Sequence, residues 1–239
     1  MHNAPSFSLA TLGVIESDYP DKFGIPRQPG LAPAARATLT LLPPYDDPLA
    51  VRGLDAFSHL WLSFIFHQSP ERWTPLVRPP RLGGNQKVGV FASRSTHRPN
   101  RLGLSLVELT RIELEGGVRL VLTGCDLVSG TPIVDIKPYL PWVEAHPEAR
   151  AGFAPAPPAL KAVAFAPAAR VALDARADHA SLYALIKQVI GQDPRPAYHA
   201  DTARIYGVRL RDVDVKFRGR ENDATTLEVV AIESLEKTR

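Results

Sequence analysis

The stretch FSHLWLSFIF, Phe57–Phe66, alternates with period two. Leu60, Leu62, Phe64 and Phe66 fall on one face, while His59, Trp61 and Ser63, with His67 just beyond, fall on the other. Successive side chains of an extended chain point to opposite sides, so this pattern predicts a strand with one face in a core. Working outward, Leu9–Ile15 and Arg36–Leu42 precede it as short apolar runs, and Val88–Ser93, Leu104–Leu114 and Val118–Gly124 follow. Gly116-Gly117 separates the last two and suits a two-residue hairpin turn with positive φ. Many short strands at close spacing, with Gly and Pro between them, predict a barrel or a sandwich. The 23 prolines in 239 residues, about twice the usual ~5% share, likewise favour short strands and rigid loops over long helices.

The pattern breaks at Ala151–Ala177, where 12 of 27 residues are Ala and 4 are Pro; that composition predicts a linker. A helix is predicted over Asp178–Ile190, with Leu182, Leu185, Ile186, Val189 and Ile190 on one stripe. Asp178 is placed to cap its start, and Gly191 with Pro194 to stop it. Ile205–Leu210, Val213–Phe217 and Thr226–Ile232 then read as a small antiparallel sheet. The expectation is a mainly β chain: a closed or nearly closed barrel over 1–150, a linker over 151–177, and a small α+β domain over 178–239.

Net charge is only +3, but the distribution is uneven. Arg72, Arg78, Arg81, Lys87, Arg94, Arg98 and Arg101 face a single nearby acid, Glu71. Arg195, Arg204, Arg209, Arg211, Lys216, Arg218 and Arg220 face Asp201, Asp212 and Asp214. Two such excesses point either to an anionic partner or to solvated charged faces. Cys125 is the only cysteine, which excludes an intrachain disulfide and points to a reducing compartment. The first twenty residues lack the basic start and apolar core of a signal peptide, and no apolar run nears the ~20 residues that span a bilayer. A soluble cytoplasmic protein is expected.

Several chemistries find no support. His59 and His67 share a strand face but stand roughly 26 Å apart at about 3.3 Å per residue, so they cannot share one ion, and no metal site is expected. The nucleophile elbow of serine hydrolases, the Walker loop and the Rossmann glycine turn are all absent. Two segments remain. SRSTHRPNRLGLS, Ser93–Ser105, interleaves Arg94, Arg98 and Arg101 with hydroxyl and amide side chains, which suits carboxylate or phosphate groups. DLVSGTPIVDIKPY, Asp126–Tyr139, places Asp126, Asp135, Lys137 and Tyr139 around a Gly-Thr-Pro turn, with Asp135 and Lys137 on one side of an extended chain. By itself this second segment also fits a turn followed by a solvated ion pair.

Together with PRQPGL (Pro26–Leu31), VRGLDAFSHLWLSFIFHQ (Val51–Gln68), RPPRLGG (Arg78–Gly84), GVFASRSTHRPNRLGLSLVEL (Gly89–Leu109) and DLVSGTPIVDIKPYLP (Asp126–Pro141), the chain resembles the N-terminal barrel of the TrmO/TsaA-like family. QDPRPAY, Gln192–Tyr198, resembles the signature of that family's bacterial C-terminal domain. The family pattern often reads Arg-Pro-Asn-Pro-Ile-Gly; here Arg101-Leu102 replaces Pro-Ile, and Ser129 stands where Asp is common.

The resemblance implies a β-barrel methyltransferase that uses S-adenosylmethionine, which agrees with the missing Rossmann fingerprint. It implies a tRNA partner, methylated at N6 of the threonylcarbamoyladenosine at position 37. Cofactor contacts carried over by likeness are Arg27, Gln28, His67, Gln68, Arg94, Leu104, Asp126, Leu127, Gly130 and Thr131. Asp135, Lys137 and Tyr139 are the candidates for orienting the base or taking its proton. Arg98, Arg101, Arg195, Tyr198 and Arg211 are the candidate RNA contacts. The family forms homodimers with the site near the interface, a use for the Trp61 face of the Phe57–Phe66 strand. Two other readings stay open: a module that binds S-adenosylmethionine or RNA without transfer, and a metal-independent RNA hydrolase built on His59 or His97.

Overall fold

In the computed structural model, which describes residues 5–83, 85–196 and 202–235, the chain first forms β1 (Gly13–Ser17), β2 (Arg36–Leu41) and β3 (His59–Ile65). A two-residue pair follows, β4 (Leu76–Val77) with β5 (Val88–Gly89), then β6 (Leu102–Glu113), β7 (Arg119–Thr123), β8 (Pro132–Pro138) and the short helix α1 (Pro141–Glu144). The second half comprises β9 (Ala162–Phe165), α2 (Pro167–Asp174), α3 (His179–Gly191), β10 (Tyr206–Leu210), β11 (Val213–Arg220) and β12 (Asp223–Ser234).

β3 alternates as its sequence predicts. Leu60, Leu62 and Phe64 are buried, and His59, Trp61, Ser63 and Ile65 point outward. It lies between β6 and β8 in a closed six-stranded barrel of order β1-β2-β7-β6-β3-β8, antiparallel throughout. Ile15, Leu39, Leu60, Leu62, Leu120, Leu122 and Ile133 fill the interior. The strand that closes the barrel, β8, comes from the segment singled out above for its charged groups. Ile133 is buried and Ile136 packs against the same core, while Asp135 and Lys137 face out. Gly116 and Gly117 both take positive φ, but the connection they make runs from Leu114 to Val118 and is longer than a two-residue turn. Val88–Ser93 is strand only at Val88–Gly89; Val90–Ala92 winds into a 3-10 turn.

The stretch 151–177 is not all linker. β9 pairs in parallel with β12, completing a sheet of order β10-β11-β12-β9. α2 buries Ala169 and Leu173 in the same core as α3. Its Ala-rich composition hid it, because a helix needs only a narrow apolar stripe when small residues allow close approach. α3 starts one residue later than predicted, at His179, and Asp178 makes no side-chain cap. Its carboxylate instead accepts from Arg176 and Arg211 at 2.8 and 2.9 Å.

Nor is the first 150 residues' packing confined to the barrel. Tyr19, Ala32 and Ala35, from the long β1–β2 connection, are buried in the second core beside Leu182, Leu185, Val189, Val208 and Leu210. No helix among the described residues is long and apolar enough to cross a membrane.

Candidate active site

Antiparallel pairing brings the end of β3, the start of β6, the end of β7 and the start of β2 to one rim, as Ile65 opposite Leu102 and Arg36 opposite Thr123. The loops leaving this rim carry the cofactor candidates. The Arg94 guanidinium donates to the Gln28 side-chain oxygen, joining the 93–101 loop to the β1–β2 connection. The Gly30 amide donates to the Gly124 carbonyl at 2.9 Å, and Lys22 donates to the Gln68 carbonyl at 2.9 Å. Gly130, at φ 85, donates its amide to Ile15 at 2.7 Å. A side chain begun there would approach the His67 ring at 3.8 Å, so the 126–131 turn and the end of β3 lie side by side.

Asp126 is the most perturbed carboxylate at this rim. Burial pushes it up to about 6, against the opposing hydrogen bond from Ser105 and the positive charge of Arg94. Ser105 donates to it at 2.5 Å from a fully buried position on β6. His67 is lowered, first by burial and further by the charge of Lys22, against a main-chain hydrogen bond at Ile65, which favours a neutral imidazole at pH 7. Arg27 is exposed at the tip of the β1–β2 connection, and Leu104 is half exposed on the outer side of β6.

The side chains of Leu127 and Thr131 are buried. Leu127 is buried in the barrel core, and its carbonyl accepts from Ser17 at 2.7 Å. Thr131 is buried too, and its hydroxyl donates to the Val128 carbonyl at 2.6 Å, closing its own turn. Both build the turn's shape, and Asp126, Ser129 and Gly130 carry its polar contacts to Ser105, Ser17 and Ile15.

Asp135, Lys137 and Tyr139 form a separate group on the outer wall, along β3. Lys137 donates to Asp135. The Tyr139 ring meets His59 and Trp61 edge-on, with centroids 6.3 and 6.1 Å apart. Trp61 in turn donates its indole N–H to Glu144 at 2.7 Å. Among the described residues no side-chain hydrogen bond joins this group to the rim.

The RNA candidates divide. Arg98 donates to the Ser93 and Val90 carbonyls at 2.8 and 3.4 Å, and its guanidinium lies 5.9 Å from the centre of the Phe91 ring, which is 75% exposed. Arg101 reaches Ser69 and Glu71, both at 3.4 Å. Its backbone sits at φ 50 and its amide donates to the Arg98 carbonyl at 3.1 Å. Proline at this position would be held near φ −65° without that donor, so the Arg101 departure from the family pattern changes the loop's backbone as well as its charge. Arg211 is corrected outright: its side chain is 14% exposed and pairs with Asp18 and Asp178 at 3.0 and 2.9 Å, leaving no free fork for a phosphate. Arg195 is likewise turned inward onto Asp193 at 2.7 Å. Tyr198 lies outside the described residues.

Sequence reasoning passed over Ser105, Asp18 and Glu144. Period two places Ser105 on the inner face of β6, between Gly103 and Val107, and a hydroxyl on that face was a readable signal. Asp18 and Glu144 carried none, since their partners lie far along the chain.

The N-terminal half matches the family model for the tRNA-methyltransferase O N-terminal domain over residues 14–145, and residues 158–234 match that for the C-terminal domain. The chain belongs to the tRNA-methyltransferase O family. Within that family, it is 50% identical over 219 residues to the tRNA (adenine(37)-N6)-methyltransferase of Escherichia coli K12, covering 89% of this chain and 93% of that protein. It is 51% identical over 179 residues to the enzyme of the same name from Eikenella corrodens, covering 74% of this chain and 99% of that protein. A crystal structure of TrmO from Pseudomonas aeruginosa superposes with a TM-score of 0.81 at 40% identity, covering 96% of this chain and 99% of that one.

Proposed function

We propose that this chain transfers the methyl group of S-adenosylmethionine to N6 of adenine 37 in tRNA, and that the base carries a threonylcarbamoyl group when methylated. The observation that carries this reading is the rim itself, where the Arg94 guanidinium bonds Gln28 and its positive charge acts on the half-buried Asp126 carboxylate. The donor set fits the cofactor: Arg94 with Arg27 suits its carboxylate, and Asp126 suits its positive groups. When bound, S-adenosylmethionine supplies an electrophilic methyl carbon on sulfonium. The protein's part is mainly to hold the acceptor nitrogen in line and about 3–3.5 Å away.

Asp135, already paired to Lys137, orients the base or accepts its proton through water, with Tyr139 and Trp61 walling that side. The base, lying in a loop, is reached without breaking a duplex. We further propose a homodimer in the cytoplasm. The outer wall beside Trp61 continues into α1, where Trp142 is 81% exposed and Leu140 and Val143 also face solvent. An apolar patch of this kind suits an interface, and light scattering on the purified protein would read a single subunit mass if the dimer is wrong.

Labelled-methyl transfer to tRNA from cells lacking the protein tests the central reading. Label retained on adenine 37 supports it. Cofactor binding without transfer favours the binding module instead, and RNA cleavage favours the hydrolase. Nucleoside mass spectrometry of the product separates the threonylcarbamoylated substrate from plain adenosine.

A further inference from the structure

The β1–β2 connection, residues 18–35, carries Arg27 and Gln28 at its tip and is held from two sides, by the barrel that it joins and by the second domain. The second domain holds it along its length. Arg211 grips Asp18 twice, side chain to side chain at 3.0 Å and main-chain amide to carbonyl at 2.9 Å. Arg209 pairs with Asp21 at 3.2 Å. Gly24, at φ 90, passes so close to Val208 that a side chain begun there would stand 2.1 Å from its methyl carbon. On the returning arm, Gln192 of the turn after α3 donates to the Leu31 carbonyl at 3.2 Å, and the Gln188 side-chain oxygen accepts from the Ala34 amide at 2.8 Å. Tyr19, Ala32 and Ala35 complete the attachment inside the second core. On the barrel side, the Ser129 amide donates to the Tyr19 carbonyl, Lys22 to the Gln68 carbonyl and the Gly124 amide to the Ala35 carbonyl, while the tip itself bridges to Arg94 and Gly124.

We infer that the second domain builds the cofactor lip: Gln188 and Gln192 on α3 and its end are positioning residues that fix Arg27 and Gln28 at the rim, acting through the β1–β2 connection. A loop of this length held only at its ends samples many arrangements. Each tie removed lets the tip spend time away from the binding geometry, and apparent affinity falls by the fraction of time lost. The effect belongs to cofactor binding and not to the chemical step, because Gln188 and Gln192 touch neither the rim nor the outer wall. This rests on the proposed placement of S-adenosylmethionine at the rim.

The test is calorimetry of S-adenosylmethionine on the full-length protein, with steady-state kinetics alongside. Gln188→Leu removes the acceptor for the Ala34 amide and should raise the cofactor Kd and KM about five- to tenfold, with kcat and tRNA affinity unchanged. Gln188→Glu keeps an acceptor oxygen and should restore the wild-type Kd. Gln192→Ala, milder for folding, should shift the Kd in the same direction. A merely structural role would lower the fraction of folded protein, read as the calorimetric stoichiometry, and the Tm, and leave the Kd of the folded protein alone; that result overturns the inference. Gln28→Ala with Arg27→Ala separates the two levels. If these weaken binding while the Gln188 and Gln192 variants do not, the inference fails and the rim reading stands. If they leave binding intact, the rim reading fails and the inference falls with it.

Discussion

Asp126 shows how burial turns one side chain into a pH-dependent element. Its folded value of about 6 lies above the ~3.9 of an unfolded aspartate, so the folded protein holds the proton more tightly. Stability should therefore fall as pH rises from about 4 to about 6 and then level off. Asp126→Asn removes that fall, so its Tm relative to wild type should climb across this window; a constant difference from pH 4 to pH 7 would refute the shift. If the ionised carboxylate serves the cofactor's positive groups, S-adenosylmethionine affinity should weaken on acidification through about pH 6, and the Asn variant should bind weakly at every pH. Asp135 makes a different prediction, because it sits on the outer wall. Asp135→Asn should lower kcat by about 10²-fold with the cofactor Kd unchanged, and unaltered turnover would remove it from the chemistry. The signals at this scale were uneven: Asp126 and Asp135 were legible from their motif, whereas Leu127 and Thr131 within the same motif point inward and shape the turn.

At the scale of elements, the tightest constraint on the barrel wall is β6 against β3. Gly103 lies directly opposite Phe64, and a methyl group there would meet the ring at 2.3 Å. Gly103→Ala must displace the ring or bend the strand, and should cost about 1–3 kcal/mol in urea denaturation; a loss under about 0.5 kcal/mol would mean the wall yields more easily than this packing suggests. Strands whose neighbours bury one face, such as β3, were readable from periodicity alone. β8 was not, because Pro132, Asp135 and Lys137 mask its inward Ile133 and Ile136. β9 was hidden for another reason: a four-residue parallel strand is stabilised by β12, more than sixty residues away, and has no local pattern of its own.

For the whole molecule, the two basic segments turn out to differ in kind. Arg195, Arg209, Arg211, Lys216 and Arg218 are neutralised by Asp193, Asp21, Asp18, Asp214 and Glu228. In the other segment, Arg101 meets Glu71, itself 88% exposed, and no ion pair among the described residues involves Arg72, Arg78, Arg81, Lys87, Arg94 or Arg98. The salt dependence of tRNA binding should therefore come from residues 72–101. Arg78→Gln should reduce the slope of log affinity against log salt by about one. Arg211→Met should leave that slope unchanged and instead cost about 3 kcal/mol of stability, since it leaves the enclosed Asp18 without its cation and Asp178 with Arg176 alone. A salt slope that responds to Arg211 and not to Arg78 would reverse this assignment.

Period-two alternation, the punctuation by Gly and Pro and the ordered motifs were enough to read from the chain that it is a mainly β protein with a helical second part, and to which family it is similar. These are local properties, and local spacing dictates which face of a strand or helix can be buried. The pairing of each arginine with an acid from another segment, the closing of the barrel by β8, and the seating of residues 18–35 in the second core depended on the tertiary structure. Each joins groups far apart in sequence, and a charge or an apolar side chain carries no mark of which distant partner will remove it from water.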